Sequence, residues 1–447
     1  MSPTDIKASK LDELSEAEQR KIKHGAYRWN SVGGMLFALQ SVIMLIILTR
    51  VCDVYTAGIF TIAFANSNLF LNIGKFGMRK FQVSDRNLEY SFKEYQASRI
   101  ISCVAMLVAS CAYIAYSTVT LGYSAEKTLV MIVMCVFKAI DAFEDVYTGA
   151  YQREDRLDVG AKMISIRMVF ALVAFAVVAL MTANLLISLT ASTIFTAVFL
   201  AVQIRYVRSR YNMPAPSYLR SIRKVFQLLR ECLPVFAADF LLFYMGSAPK
   251  YAIDALMDDA AQAYYGYIAM PVFVVTLLAS FVYNPMIASL TDQWQSGKLR
   301  EFVVRFLKLA GVIALITAVC VLGAWLIGIP VLNILYNTQL ADYLAELLIL
   351  VIGGGFLAVT TLATLGITII RFQKVLIPLY AALAVLAFLA SNSLVEAMGI
   401  TGASWAYFLV MAVAAVIFTV AFFIGIKLKH ATVTEAADLS DDSSDMG

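Results

Sequence analysis

Histidine is almost missing from this chain, with His24 and His430 the only two in 447 residues, and their spacing cannot make a metal pair. Cysteine is sparse. Of the six, Cys103, Cys111, Cys135, Cys232 and Cys320 fall within apolar runs or on the basic side of the chain, and only Cys52 reads as external, so no disulfide framework is expected. Charge is scarce as well, at 15%, against 61% hydrophobic residues, which excludes a soluble globular protein. The glycine-rich loop with lysine that cradles a nucleotide phosphate is absent, which argues against direct ATP drive within this chain. Gly353-Gly354-Gly355 lacks the strand-to-helix setting of such a loop and reads as a close-packing or hinge site. No cleavable signal peptide is expected, because the charged start is long and the first apolar run has full membrane length.

Long apolar runs are what the chain has instead. Candidate spans are 29–49, 55–77, 98–120, 128–150, 163–183, 185–207, 234–256, 265–290, 309–329, 345–370, 376–395 and 402–426. Each is near the roughly 20 residues needed to cross hydrocarbon. The expected fold is all-α and polytopic, with about twelve transmembrane helices in two pseudo-symmetric six-helix bundles, 29–207 and 234–430. Residues 1–28 form a cytoplasmic segment in which Ser9 and Asp12 suggest a capped interfacial helix, 208–233 a basic linker lying on anionic membrane lipids, and 431–447 a disordered acidic tail. Aligning Gly58 with Gly266 brings Met78 onto Met286, which supports a parallel internal repeat.

Basic residues set the orientation. They crowd the N-terminus and alternate loops, while the opposite loops hold little more than Arg50 and Lys127, so both termini are expected in the cytoplasm of a bacterial-type plasma membrane. Because the bases are spread over membrane-proximal loops, they report topology and not a nucleic-acid surface.

Intramembrane charge points to function. Lys138, Asp141, Glu144 and Asp145 interrupt the fourth span, where each ionised side chain costs about 2.5 to 3.5 kcal/mol and therefore needs a cavity or a partner. Lys138, Asp141 and Asp145 form one helical stripe with the lysine near mid-membrane, and Asn68, Asn72, Lys75 and Arg79 form a second on the span-two helix. Gln40 adds a polar group near the midplane of the first span. Arg167 stands at the depth of Glu144 and Asp145 on the next antiparallel helix, which predicts a structural ion pair with one of them. Lys250 and Asp254, at i, i+4, are candidates to pair near the outer end of the seventh span.

A carrier with a hydrophilic cavity fits this pattern better than a membrane-embedded lipid-linked glycan polymerase or ligase, since the outer loops are too short for a catalytic surface. No cofactor is expected. The runs Asp53-Val54-Tyr55-Thr56-Ala57-Gly58-Ile59-Phe60 and Gly77-Met78-Arg79-Lys80 leading to Ser84-Asp85, with Glu94-Tyr95 and Arg99, resemble the first half of polysaccharide flippases. Ala248-Pro249-Lys250-Tyr251-Ala252-Ile253-Asp254, Gly266-Tyr267 and Trp294 through Gly297 resemble their second half. The family is the O-antigen and teichoic-acid (Wzx-like) type, within the multidrug/oligosaccharidyl-lipid/polysaccharide exporter superfamily. The resemblance implies a V-shaped pair of bundles that moves a polyprenyl-diphosphate-linked oligosaccharide to the outer leaflet by alternating access, alongside glycan-assembly proteins. It assigns cavity cations to the diphosphate, which suits Lys138, Lys75, Arg79 and Lys250, and Lys138 is expected as the central contact with Asn68, Asn72 and Lys75 on the facing stripe of span two. A cation-coupled exporter of the same superfamily, in which an intramembrane acid would dominate, stays open.

Overall fold

The computed structural model describes residues 15–85, 88–211, 214 and 218–444, with side chains described through Lys429. Every regular element in it is helical. The first unit contains α1 (Glu16–Val51), α2 (Val54–Lys75), α3 (Met78–Ser84), α4 (Phe92–Leu121), α5 (Ala125–Arg153), α6 (Leu157–Thr182), α7 (Leu185–Tyr211) and the start of α8 (Ile222–Leu256). The second holds the rest of α8, then α9 (Asp259–Ala269), α10 (Val272–Tyr283), α11 (Ile287–Gln295), α12 (Leu299–Gly323), α13 (Ile329–Tyr336), α14 (Leu344–Ile369) and α15 (Leu376–Ser444). The boundary falls between Phe243 and Tyr244, inside α8.

Among the described residues nine stretches are long and apolar enough to cross a membrane. The charge-bearing α5 and the more polar α8 are of similar length, and Gly399, at φ 57° and ψ −131°, breaks α15 into two helices. Twelve membrane-length segments result, as the hydropathy pattern requires, and the chain is a multi-pass all-α membrane protein.

Several boundaries differ from the sequence reading. The first span and the charged segment before it are one continuous helix, started by a capping box in which Ser15 Oγ accepts from Glu18 N and Glu18 reaches back to Ser15. Ser9 and Asp12 lie outside the described residues. Helix α8 begins at Ile222 and not at Pro234, because the basic stretch before the proline has ordinary helix formers that carry the helix on the proline's N-terminal side. The expected disordered tail is helical in backbone through Ser444, since a helix nucleated in the membrane extends at one hydrogen bond per added residue. The eighth span is broken, as its prolines suggest: Met270 and Pro271 separate α9 from α10, and a 3₁₀ turn at Asn284–Met286 precedes α11.

Both halves end their second span the same way, with a break followed by a short helix. In the first half Phe76 and Gly77 take left-handed φ of 50° and 62°, and α3 starts at Met78. Gly77 is required twice over, by its positive φ and because a Cβ there would lie 2.7 Å from Val235 Cγ1 of α8. The glycine triplet is buried inside an unbroken α14, where a Cβ at Gly353 would strike the Tyr407 ring at 2.7 Å; it is a packing site.

Candidate functional site

The first unit has a tightly packed aromatic layer, with Tyr95, Tyr147 and Tyr151 buried against Met78, Val146 and Leu228. This layer anchors α3, α4, α5 and α8, and the charged residues of α5 lie along the same helix. Helix α5 is the spine: its charged stripe meets α2 on one side and α6 on another.

Arg167 of α6 is 2% exposed and bridges two carboxylates of α5, Asp141 Oδ1 at 2.6 Å and Glu144 Oε2 at 2.6 Å. The depth argument offered Glu144 or Asp145. The arginine takes Glu144 and, one turn further in, Asp141, whereas Asp145 turns the other way to Arg99 Nη2 at 2.9 Å and Arg79 Nη1 at 3.4 Å.

Lys138 is fully buried. Its ammonium donates to Gln40 Oε1 at 2.6 Å and to Asp141 Oδ2 at 3.3 Å, and stands 4.5 Å from the Phe64 ring centroid and 5.1 Å from that of Phe37. These contacts compensate the burial of a charge that would otherwise be prohibitive. Gln40 Nε2 remains buried without a partner.

A polar recess opens beside this network. One cavity of about 230 Å³ is lined by Lys75, Arg79, Arg167, Asp141, Glu144 and Asp145 together with Phe37. A second, of about 560 Å³, shares Asn30, Lys75, Arg79 and Asp145 with it and adds Asn72, Lys80, Gln152 and Asp239. Lys138 and Gln40 do not line either one, because Phe37 covers them. Asn68 and Asn72 both turn their amides back onto α2, to Phe64 O at 2.9 Å and Asn68 O at 3.0 Å, and of the two only Asn72 reaches the recess. Lys75 is half-buried and has no ion pair among the described residues; its ammonium rests 4.8 Å from the Phe37 ring. Lys250 and Asp254 belong to the second unit, with Lys250 partly buried and Asp254 buried.

Three contributors escaped the sequence reading. Arg99 resembles a loop cation by position but is fully buried in the third turn of α4, donating to Gly74 O at 2.7 Å and to Asp145. Its signal was Gly74: a Cβ there would meet Ala142 at 2.8 Å, so the glycine lets α2 approach α5 and bares its carbonyl to Arg99 and to Ser102 Oγ at 2.7 Å. Gln152 accepts from Arg79 Nη2 at 2.8 Å, and Phe37 carries no polar signal at all.

The charge balance of the recess is now countable. On the recess wall Lys75, Arg79, Lys80 and Arg167 balance Asp141, Glu144, Asp145 and Asp239, and the buried Arg99 and Lys138 behind the wall bring the whole network to an excess of two positive charges.

No protein-family profile and no curated protein sequence matches the chain. Solved structures do. An inward-facing multidrug resistance MATE family transporter of the MOP superfamily aligns over 91% of this chain and 99% of its own, at 13% identity and TM-score 0.68. The lipid II flippase MurJ in an inward closed conformation aligns over 91% and 87%, at 11% identity and TM-score 0.69. A MOP superfamily transporter from Pyrococcus furiosus, reported for the reverse polarity of its binding pocket, aligns over 92% and 97%, at 15% identity and TM-score 0.51. The chain therefore has the fold shared by MATE exporters and the MurJ flippase, the transporter fold of the MOP superfamily.

Proposed function

We propose that this protein is a plasma-membrane flippase, with both termini cytoplasmic, for a polyprenyl-diphosphate-linked oligosaccharide used in cell-surface polysaccharide assembly. The observation that carries the reading is a lysine on the recess wall without an ion pair among the described residues, Lys75, in a network whose excess of two positive charges is supplied by the buried Arg99 and Lys138 behind that wall. A diphosphate diester carries two negative charges, and it would find Lys75 and Arg79 on the recess wall with Lys138 and Arg99 adding positive potential from behind. Buried cations act over longer distances than wet ones because less water screens them. A carrier for organic cations needs the opposite excess, and the three buried acids here are each already bound to an arginine. The fold is compatible with either cargo, since a lipid II flippase and multidrug exporters are both similar to this chain. Lys250 is assigned to the cargo's path through the second unit by the resemblance of its motif alone.

Lys138 keeps a role in this reading as a source of potential, with Gln40 and Asp141 holding it charged in the empty state. Substrate engaging Lys75, which has no ion pair among the described residues, would provide the different contacts in loaded and empty states that alternating access demands.

The test is translocation in proteoliposomes of defined orientation. A fluorescent polyprenyl-diphosphate disaccharide should cross at least tenfold faster than in empty vesicles, and Lys75→Gln combined with Arg79→Gln should abolish the gain. Uptake of a lipophilic cation with no movement of the diphosphate lipid would replace this reading with the exporter one.

A further inference from the structure

A second cavity system in the first unit is unrelated to the recess. It measures about 430 Å³ and lies between the start of α1, the start of α6 and the end of α7. That is within the roughly 300 to 1,000 Å³ typical of small-ligand sites. Three cations line it, Lys21, Arg156 and Lys162, against the single acid Asp158. Arg156 is spoken for: its Nε and Nη2 donate to the two Asp158 oxygens at 2.9 and 3.0 Å, and its guanidinium lies 5.1 Å from the Tyr211 ring. Lys21 and Lys162 have no ion pair among the described residues, and the Lys162 ammonium stands 5.8 Å from the Trp29 ring centroid. Two uncompensated ammonium groups thus flank one cavity.

What surrounds them selects the ligand. Trp29 and the exposed Tyr206 are side chains of the kind that settle at the headgroup level of a bilayer. Beyond the cavity the outward faces of α6 and α7 are bare and apolar, with Phe170 at 45%, Val173 at 51%, Val198 at 60% and Val202 at 56% exposure. Such a face takes acyl chains. Gln203, on the cavity wall, donates through Nε2 to Met163 O at 3.2 Å and leaves its Oε1 buried without a donor. That oxygen lacks a hydroxyl or N–H to accept from.

We propose that this cavity is a binding site for one anionic glycerophospholipid of the phosphatidylglycerol type. Its phosphate lies between Lys21 and Lys162, a glycerol hydroxyl donates to Gln203 Oε1, and its chains run along the α6 and α7 faces. The site is independent of the cargo recess and of what that recess carries.

Native mass spectrometry of the full chain in detergent tests it. Phosphatidylglycerol should be retained at one per protein with at least tenfold preference over phosphatidylcholine of the same chains. Lys21→Gln with Lys162→Gln should erase that preference, and the two arginine replacements should keep it. Gln203→Leu should reduce the preference for phosphatidylglycerol over phosphatidic acid, which has no headgroup hydroxyl. Equal retention of the two zwitterionic and anionic lipids by the unmodified protein overturns the proposal whatever the variants do. So does displacement by millimolar glycerophosphate, which would make the site one for a soluble anion.

Discussion

Arg99 and Asp145 form a salt bridge of 2.9 Å between α4 and α5 in which the arginine has no exposed surface. One guanidinium thereby ties three helices, since the same group holds Gly74 O of α2. Removing it strands a buried carboxylate, whose other cation Arg79 is farther away at 3.4 Å. Arg99→Ala should cost about 3 to 5 kcal/mol. A large drop in the thermal midpoint of the detergent-solubilised protein is expected, with Arg99→Lys intermediate, because one ammonium cannot reproduce the planar fork. An unchanged midpoint for the alanine variant would show that the pair is not structural.

Lys75 should behave in the opposite way. It has no ion pair to lose among the described residues, only its contact with the Phe37 ring, so Lys75→Gln should cost no more than about 1 kcal/mol of stability. Translocation should nevertheless fall tenfold or more, and Lys75→Arg should recover most of it. Parent-like transport by the glutamine variant would remove this residue from the cargo path.

The contrast between these two residues shows what the linear sequence can convey. Apolar run length gave the helix count, because it follows from a property summed over many residues, and Pro271 and Pro285 marked the broken eighth span. The charge stripe on α5 was legible too, as spacing along one helix. Partner choice was not. Whether Arg167 takes Asp141, Glu144 or Asp145 depends on the rotation of α6 about its axis, and the sequence alone leaves that rotation free. Arg99 was hidden by its place near a helix end, where a basic residue ordinarily signals only topology. The shielding of Lys138 depends on an apolar side chain, Phe37, from a helix just over a hundred positions away.

Asp53 caps α2 outside the membrane span: hydrogen bonds from the Thr56 side chain and then from Thr56 N, which reaches Oδ1 at 2.8 Å, hold the carboxyl below its ordinary range. A carboxylate whose folded pKa is lowered adds stability above the unfolded value, near pH 3.9, and loses it as pH falls through the folded value. Asp53→Asn should therefore flatten the acid limb of the stability profile at that end of α2, and Asp53→Ala should cost about 1 kcal/mol at neutral pH. Hydrogen exchange of the Thr56 amide against pH reads both effects. An acid limb identical in the parent and the asparagine variant would mean that the cap does not titrate in this range.

Phe37 is the last residue to consider, because it separates the two lysines that matter most to the proposed cargo. Its ring takes Lys75 at 4.8 Å on the recess side and Lys138 at 5.1 Å behind. The ring is 37% exposed and lines the recess, whereas Lys138 has no exposed surface. Each cation–π contact is worth about 0.5 to 2 kcal/mol, so loss of the ring should be survivable while Gln40, Asp141 and Phe64 still hold the lysine. Phe37→Ala should then open the pocket of Lys138 to recess water. In a chain with its native cysteines replaced, Lys138→Cys should react slowly with a charged thiol reagent. The same cysteine in the Phe37→Ala background should react at least tenfold faster, and Phe37→Leu, which restores bulk without a π face, should slow the reaction again. Equal rates with and without the ring would show that Lys138 is screened by the helices themselves, leaving Phe37 no part in controlling access to the buried charge.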